Sequence, residues 1–180
     1  DVPQAVEVHR GQGRSPMVLV CEHASHYIPQ ALDHLGLAPE DRQKHIAWDI
    51  GALAVAHGLS QAFDAPLAAA TVSRLVFDCN RQVDAPDAVV SRSEDIAVPG
   101  NAGLSQAEVA QRAAWLHQPF HVAVEQLLAA RAQPIVVTVH SFTPVFFGQP
   151  RAVQLGLLAD QDERLAAAMM AIAPSVTPWK

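Results

Sequence analysis

The sequence has few charged residues and few cysteines. Only 17% of its 180 residues are charged, and 18 acidic residues outnumber 12 basic ones, for a formal net charge of -6. No cluster of lysine and arginine could neutralise a phosphate backbone, which argues against nucleic acid as a partner. The two cysteines, Cys21 and Cys79, each close an apolar run. We interpret both as buried free thiols of a reducing compartment.

Long hydrophobic runs are also missing. No segment approaches the roughly 20 consecutive apolar residues that a membrane-spanning helix needs. Residues 1–16 lack the apolar core of a signal peptide, so we expect a cytoplasmic protein without a membrane-bound part. Half of the residues are nevertheless hydrophobic, enough for a single domain over 1–180 to bury a substantial core. The sequence does not decide between a monomer and a homodimer.

Apolar runs typical of buried strands alternate with segments of helical periodicity. Strands are predicted over 17–21, 66–81 (in two pieces around Ser73), 133–142 and 152–160. Helices are predicted over 45–63, 104–132 and 161–173, with a shorter, broken helix over 28–45. This alternation predicts an α/β protein with a largely parallel, buried sheet. The segment 82–103 has no periodicity, and a loop of that length inside a compact domain is more often functional than idle.

Polar side chains follow three predicted strands, at the edge where open α/β sheets bind their ligands. The three pairs are Glu22–His23, Asn80–Arg81 and His140–Ser141. Imidazole nitrogens are usual ligands of a catalytic zinc, so His23 and His140 are candidate metal ligands from neighbouring strands. The alternative is a purely structural role, with each ring hydrogen-bonded elsewhere.

The Asn80–Arg81 pair suits an anionic group of a substrate. The planar guanidinium of arginine matches a carboxylate bidentately, which makes Arg81 the first candidate and Arg74 the second. The alternative for Arg81 is a salt bridge to Asp78 or Asp84.

Four pieces of the sequence together resemble the N-formylglutamate amidohydrolase family. They are "CEHASHYIP" (21–29), "AWDIGA" (47–52), "SRLVFDCNR" (73–81) and "VHSFTP" (139–144). The resemblance implies a three-layer α/β/α sandwich with a mixed, mostly parallel central sheet, phosphorylase/hydrolase-like, as in zinc carboxypeptidases and aspartoacylase-like enzymes. It also implies hydrolysis of N-formyl-L-glutamate to formate and glutamate, a step of histidine breakdown, with zinc or another divalent metal such as cobalt.

The resemblance implies metal-binding roles for four residues. His23 and His140 match the family's metal ligands, and Asp49 matches a family acid that is the third candidate. The alternative for Asp49 is an acid facing the N-terminal dipole of a helix. His26 lies three residues beyond His23, where zinc carboxypeptidases carry a glutamate ligand, and is the fourth candidate.

The resemblance also implies a substrate-binding set. Asn80 and Arg81 resemble the pair by which carboxypeptidase-like enzymes hold a substrate carboxylate. Arg74 belongs to the same motif and is expected to bind substrate or to support Asp78. Ser141, next to a candidate ligand, completes the set.

The proton-transferring carboxylate is the part of the site that the sequence identifies least. Relatives usually continue beyond this point and carry a late Glu-x-Arg motif, and we expect this chain to lack that C-terminal part. The candidate catalytic carboxylates are therefore Glu22, directly before His23, and Glu94 in the loop 82–103. If strand geometry continued past residue 21, Glu22 would point away from His23 and act as a support or cap.

The leading hypothesis is a metal-dependent amidohydrolase acting on a small anionic N-acyl amino acid. A peptidase or peptidoglycan-type amidase of the same superfamily is one alternative. A metal- or ligand-binding module without catalysis is another, and turnover of N-acyl amino acids distinguishes it from the enzymes.

Overall fold

A computed structural model describes residues 3–146 and 148–178, and its central feature is a four-stranded mixed sheet. The strands are β1 (Val6–His9), β2 (Met17–Cys21), β3 (Leu67–Ala70), β4 (Arg92–Ser93), β5 (Ile96–Ala97), β6 (Ile135–Thr138), β7 (Val145–Phe146) and β8 (Gln149–Pro150). The sheet has the order β1-β3-β2-β6. Strand β2 runs parallel to β3 and β6, whereas β1 is antiparallel to β3, so the sheet is mostly parallel as expected.

Helices of several kinds connect the strands. The α-helices are α1 (Ala52–Phe63), α2 (Gln106–Arg112), α3 (Gln118–Ala129) and α4 (Arg164–Val176). A π-helical turn, Ala113–His117, joins α2 to α3, so the predicted helix over 104–132 is confirmed. It opens with the reciprocal hydrogen bonds of a capping box between Ser105 and Glu108. Within the described residues, no helix is both long and apolar enough to cross a membrane.

Helices cover both faces of the sheet. Because successive residues of a strand point to opposite sides, alternate residues of β2 pack against different helices. Val18 and Val20 of β2 belong to one apolar core, which includes side chains of α3. Leu19 and Cys21 belong to a second core, which includes side chains of α1. The arrangement is therefore the expected three-layer α/β/α sandwich.

Two predicted strands are wrong. After β3 the chain does not form a second strand beyond Ser73 but makes a series of turns. The Ser73 hydroxyl donates to the Ala47 carbonyl at 2.8 Å and accepts the Leu75 N–H at 3.2 Å, which favours a turn over a sheet ladder. The predicted strand over 152–160 is irregular as well.

The chain divides into two compact units, Asp1–Phe142 and Thr143–Lys180. The first holds the four-stranded sheet and all candidate site residues. The second holds the short pair β7–β8 and helix α4.

Candidate metal and substrate site

Parallel pairing of β2 with β6 brings two candidate ligands to one place. Val20 is paired with Thr138, and His23 and His140 follow these residues at the carboxyl ends of the strands. Their ring centroids are 5.0 Å apart. From β2 the chain passes to β3 on one side, then from β3 to β6 on the other. The crevice between β2 and β6 is therefore the point of the sheet where α/β proteins bind ligands.

Asp49 completes a three-residue cluster with the two histidines. Its N–H donates to the His23 carbonyl at 2.9 Å, which holds it in front of α1 rather than within the helix. Its Oδ2 lies 3.4 Å from Nδ1 of His23 and 2.9 Å from Nδ1 of His140, and also accepts the Ser141 N–H at 3.2 Å. One ligand atom from each of the three residues lies within 4.8 Å of the others. The distances of 3.4 and 2.9 Å from Oδ2 of Asp49 to the two Nδ1 atoms suit ligand atoms that share one ion about 2 Å from each.

A second carboxylate fixes the orientation of His23. Nε2 of His23 lies 2.7 Å from Oδ1 of Asp78, and Nη1 of Arg74 lies 3.2 Å from Nδ1 of the same ring. A guanidinium can only donate, so it faces a lone pair on Nδ1, while Nε2 donates its proton to Asp78. In the neutral ring, Nδ1 is therefore the nitrogen available to a metal, as expected of a ligand whose other nitrogen is held by an outer carboxylate.

Glu22 lies on the outer side of His140. Its carboxylate is buried, and among the described residues its Oε2 has no hydrogen-bond partner. Nε2 of His140 lies 3.6 Å from Oε2, which is too long for a hydrogen bond. Because β2 ends at Cys21 and a turn follows, strand alternation does not direct Glu22 away from the site.

The side chains of His23, Asp49 and His140 fit a divalent metal. Two imidazole nitrogens and one carboxylate oxygen form the usual ligand set of catalytic zinc. A buried carboxylate oxygen without a partner is costly, and Oε2 of Glu22, on the Nε2 side of the ligand His140, indicates a further group that the described side chains do not supply.

The buried acids of the site are held ionised by their neighbours. Burial alone raises the pKa of Asp49, but hydrogen bonds from His140 and His23 outweigh it and hold that pKa well below its usual range. Burial likewise opposes ionisation of Asp78, whose pKa is lowered by His23 and by Arg74, with Nη2 2.7 Å from Oδ2. For His23, burial lowers the pKa, but the protonated ring donates from Nδ1 to Asp49 and from Nε2 to Asp78, and these two hydrogen bonds raise the pKa above its usual value. Arg74 thus neutralises buried carboxylates.

The Asn80–Arg81 pair is connected to the cluster through Asp78. The Asn80 N–H donates to Oδ1 of Asp78 at 2.9 Å, and the Arg81 N–H donates to the Asp78 carbonyl at 3.1 Å. Both side chains are exposed. Arg81 does form an ion pair, but with Asp87 (Nε to Oδ2, 3.1 Å) rather than with Asp78 or Asp84 as the alternative prediction had it.

Two candidates lie outside the cluster. His26 is exposed, and its ring packs against Trp48 with centroids 4.8 Å apart. Glu94 pairs with Nε2 of His45 at 2.9 Å near the surface. Within residues 3–146 and 148–178, neither makes a hydrogen bond or ion pair with the three-residue cluster.

The two cysteines are free and buried, as interpreted from the sequence. Burial, reinforced by nearby carboxylates, raises the pKa of each thiol to about 12. Neither is therefore suited to act as a nucleophile at neutral pH.

Comparisons with known proteins identify the family of the chain. The chain is similar to gene product Atu2144 from Agrobacterium tumefaciens, whose crystal structure superposes with a TM-score of 0.93 at 45% sequence identity; the match covers 97% of this chain and 71% of that one. No curated protein matches the chain. The model of the N-formylglutamate amidohydrolases matches residues 15–178, which include every candidate site residue. The chain belongs to the N-formylglutamate amidohydrolase family.

Proposed function

We propose that the protein is a metal-dependent amidohydrolase that cleaves a small N-acyl amino acid bearing a carboxylate, with N-formyl-L-glutamate as the first substrate to test. The observation that carries the proposal is the cluster of His23, Asp49 and His140, whose ligand atoms lie within 4.8 Å of one another. The family name supports the amide bond and the formyl group. Zinc, or another divalent metal such as cobalt, suits the nitrogen and oxygen ligands.

The three proposed metal ligands differ in their exposure to solvent, which indicates the side from which a substrate approaches. His23, Asp49 and His140 would hold a divalent metal, which would polarise an acyl carbonyl and lower the pKa of a water. His23 and Asp49 are buried and form the inner side of the cluster, whereas the His140 side chain is 31% exposed. The acyl group of a substrate therefore approaches from the His140 side.

Glu22 is the proposed proton-transferring carboxylate. Its Oε2 is buried, lies near His140 and has no competing hydrogen-bond partner among the described residues. A carboxylate so placed can accept a proton from the attacking water and deliver it to the leaving amine. Glu94, the other candidate, would first have to leave His45.

Asn80 and Arg81 are the proposed holders of a substrate carboxylate. Both side chains are exposed, and their backbone is tied to Asp78, which also orients the ligand His23. Substrate anchoring and metal binding are thus linked by one buried acid.

Turnover of N-formyl-L-glutamate by the zinc- or cobalt-loaded protein tests the proposal. We expect Arg81→Ala to raise KM by about 10- to 100-fold, since it removes a hydrogen-bonded ion pair worth about 1.5–3 kcal/mol. Metal content stays unchanged. The control is Arg14→Ala, which removes an exposed arginine paired with Asp64 and leaves KM unchanged.

Loss of metal from Arg81→Ala would show that our division of roles is wrong. A fully metal-loaded protein that hydrolyses no N-acyl amino acid would favour a binding module without catalysis.

The Arg81–Asp87 ion pair competes with the proposed substrate carboxylate. Both partners are about half exposed, and such pairs contribute at most about 1 kcal/mol. We expect Asp87→Asn to lower KM by about two- to fivefold, measured in the same assay. The control, Asp84→Asn, removes a charge from the same loop. Equal decreases in both variants would indicate general electrostatics and contradict competition for Arg81.

A further inference from the structure

A helix defect lies opposite the Asn80–Arg81 turn. Pro119 has no N–H, and its ring crowds the carbonyl four residues earlier, so the α-helical pattern is interrupted between α2 and α3. At this point the helix contains the π turn Ala113–His117, in which the Gln118 N–H donates to the Ala113 carbonyl. Such single π turns occur frequently at functional sites.

Two histidines on either side of Pro119 contact the turn that carries Asn80. Nε2 of His117 lies 3.1 Å from the carbonyl oxygen of Arg81, and Nε2 of His121 lies 3.0 Å from that of Cys79. A carbonyl oxygen only accepts, so both Nε2 atoms carry a proton and donate it. The two accepting carbonyls flank Asn80 on either side.

The two rings are themselves held in place by aromatic neighbours. Their centroids are 4.1 Å apart, with an angle of 39° between the planes. Phe77 contacts His117 edge-on at 5.5 Å, and Phe120 contacts His121 at 5.7 Å. Both imidazoles are half-buried. Packing of this kind fixes the direction of each N–H before any ligand arrives.

The backbone of the turn is therefore fixed from two sides. Asp78 binds the N–H groups of Asn80 and Arg81, and the histidines bind the carbonyls of Cys79 and Arg81. The Asn80 and Arg81 side chains are exposed. Small displacements of a substrate-binding group weaken its action strongly, so backbone fixation matters most here.

We propose that His117 and His121 are positioning residues for substrate binding: their Nε2–H groups hold the turn so that Asn80 and Arg81 face the substrate carboxylate. The inference rests on the proposed function, because it assigns the histidines an effect exerted through Asn80 and Arg81. In this proposal both histidines act through the turn and not by contact with the substrate.

Four variants separate hydrogen-bond donation from packing. His117→Phe and His121→Phe keep a ring but lose the donor, whereas His117→Gln and His121→Gln lose the ring but keep an amide N–H at similar reach. We expect each Phe variant to raise KM for N-formyl-L-glutamate by about five- to tenfold, as for one lost hydrogen bond, with kcat and metal content unchanged. The Gln variants recover most of the KM. Combined with the double substitution Asn80→Ala and Arg81→Ala, the Phe substitutions add no further increase, because the histidines act only through these two residues.

Each other outcome overturns the inference in a recognisable way. Unchanged KM in the Phe variants, with a lower melting temperature, assigns the histidines a structural role. Equal KM increases in Phe and Gln variants assign packing rather than donation. If Arg81→Ala raises KM but the Phe variants do not, the inference fails while the proposed function stands. If Arg81→Ala has no effect, or the wild-type protein has no activity, the proposed function fails and the inference with it.

Discussion

His140→Ala abolishes metal binding and, with it, hydrolysis. We expect about one equivalent of zinc or cobalt per native chain, and almost none in the variant, because one of three ligand atoms within 4.8 Å is removed. The affinity falls by more than the roughly 10- to 100-fold that loss of an outer-shell partner costs. Elemental analysis after desalting, with titrations of zinc and cobalt, measures the effect. His140 is preferred to His23 because removing His23 would take a hydrogen-bond partner from two buried acids, Asp49 and Asp78.

Two further variants are expected to give an intermediate loss of metal affinity and no loss at all. Asp78→Asn keeps the ligands but weakens the hold on Nε2 of His23, so affinity falls by about 10- to 100-fold. His26→Ala removes an exposed histidine that packs on Trp48 and leaves metal content unchanged. Metal retained by His140→Ala, or lost from His26→Ala, would show that the cluster is not the metal site.

The layers of the fold follow from patterns that are local in the sequence. The apolar run 17–21 and the run around 135–138 form neighbouring parallel strands, and the capping box at Ser105 begins a long helix where predicted. These elements depend on side-chain periodicity and short-range hydrogen bonds, which a single sequence displays.

The segment after β3 could not be predicted because distant side chains satisfy its backbone. The carbonyl of Leu75 accepts from the Asn101 amide at 2.8 Å, and that of Val76 accepts from the buried Arg112 at 3.2 Å. Apolar composition alone favours a strand there, whereas these polar partners, more than 25 positions away, stabilise a buried loop. The π turn had a visible signal, since Pro119 stands inside the predicted helix.

In the site, too, the sequence predicts the residues, whereas their orientation depends on distant side chains. Motif resemblance selects His23, Asp49 and His140, and parallel strands explain why both histidines reach one edge. Which ring nitrogen of His23 faces the cluster is decided by Asp78 and Arg74. Both lie in the series of turns after Ser73, which was wrongly predicted as a strand.

Glu22→Gln separates proton transfer from metal binding. Glutamine has nearly the same size as glutamate but cannot accept a proton, and the Glu22 side chain is only 7% exposed, so bulk water replaces it poorly. We expect kcat for N-formyl-L-glutamate to fall by about 10²- to 10⁴-fold, with metal content and KM nearly unchanged. Steady-state kinetics on metal-saturated protein measures this.

The same substitution has the opposite signature if Glu22 only orients His140. In that case the carboxylate of Glu22 only stabilises the orientation of the His140 ring, whose Nε2 lies 3.6 Å from Oε2. Its loss then weakens metal affinity by about 10- to 100-fold, while kcat at saturating metal stays constant. Glu94→Gln is the matched control: its carboxylate pairs with His45 near the surface, so its kcat should remain at the native value. A fall in kcat for Glu94→Gln and not for Glu22→Gln would transfer the proton-accepting role to the 82–103 loop. Because metal content, KM and kcat are read from the same samples, the roles of ligand support, substrate binding and proton transfer are distinguished in one experiment.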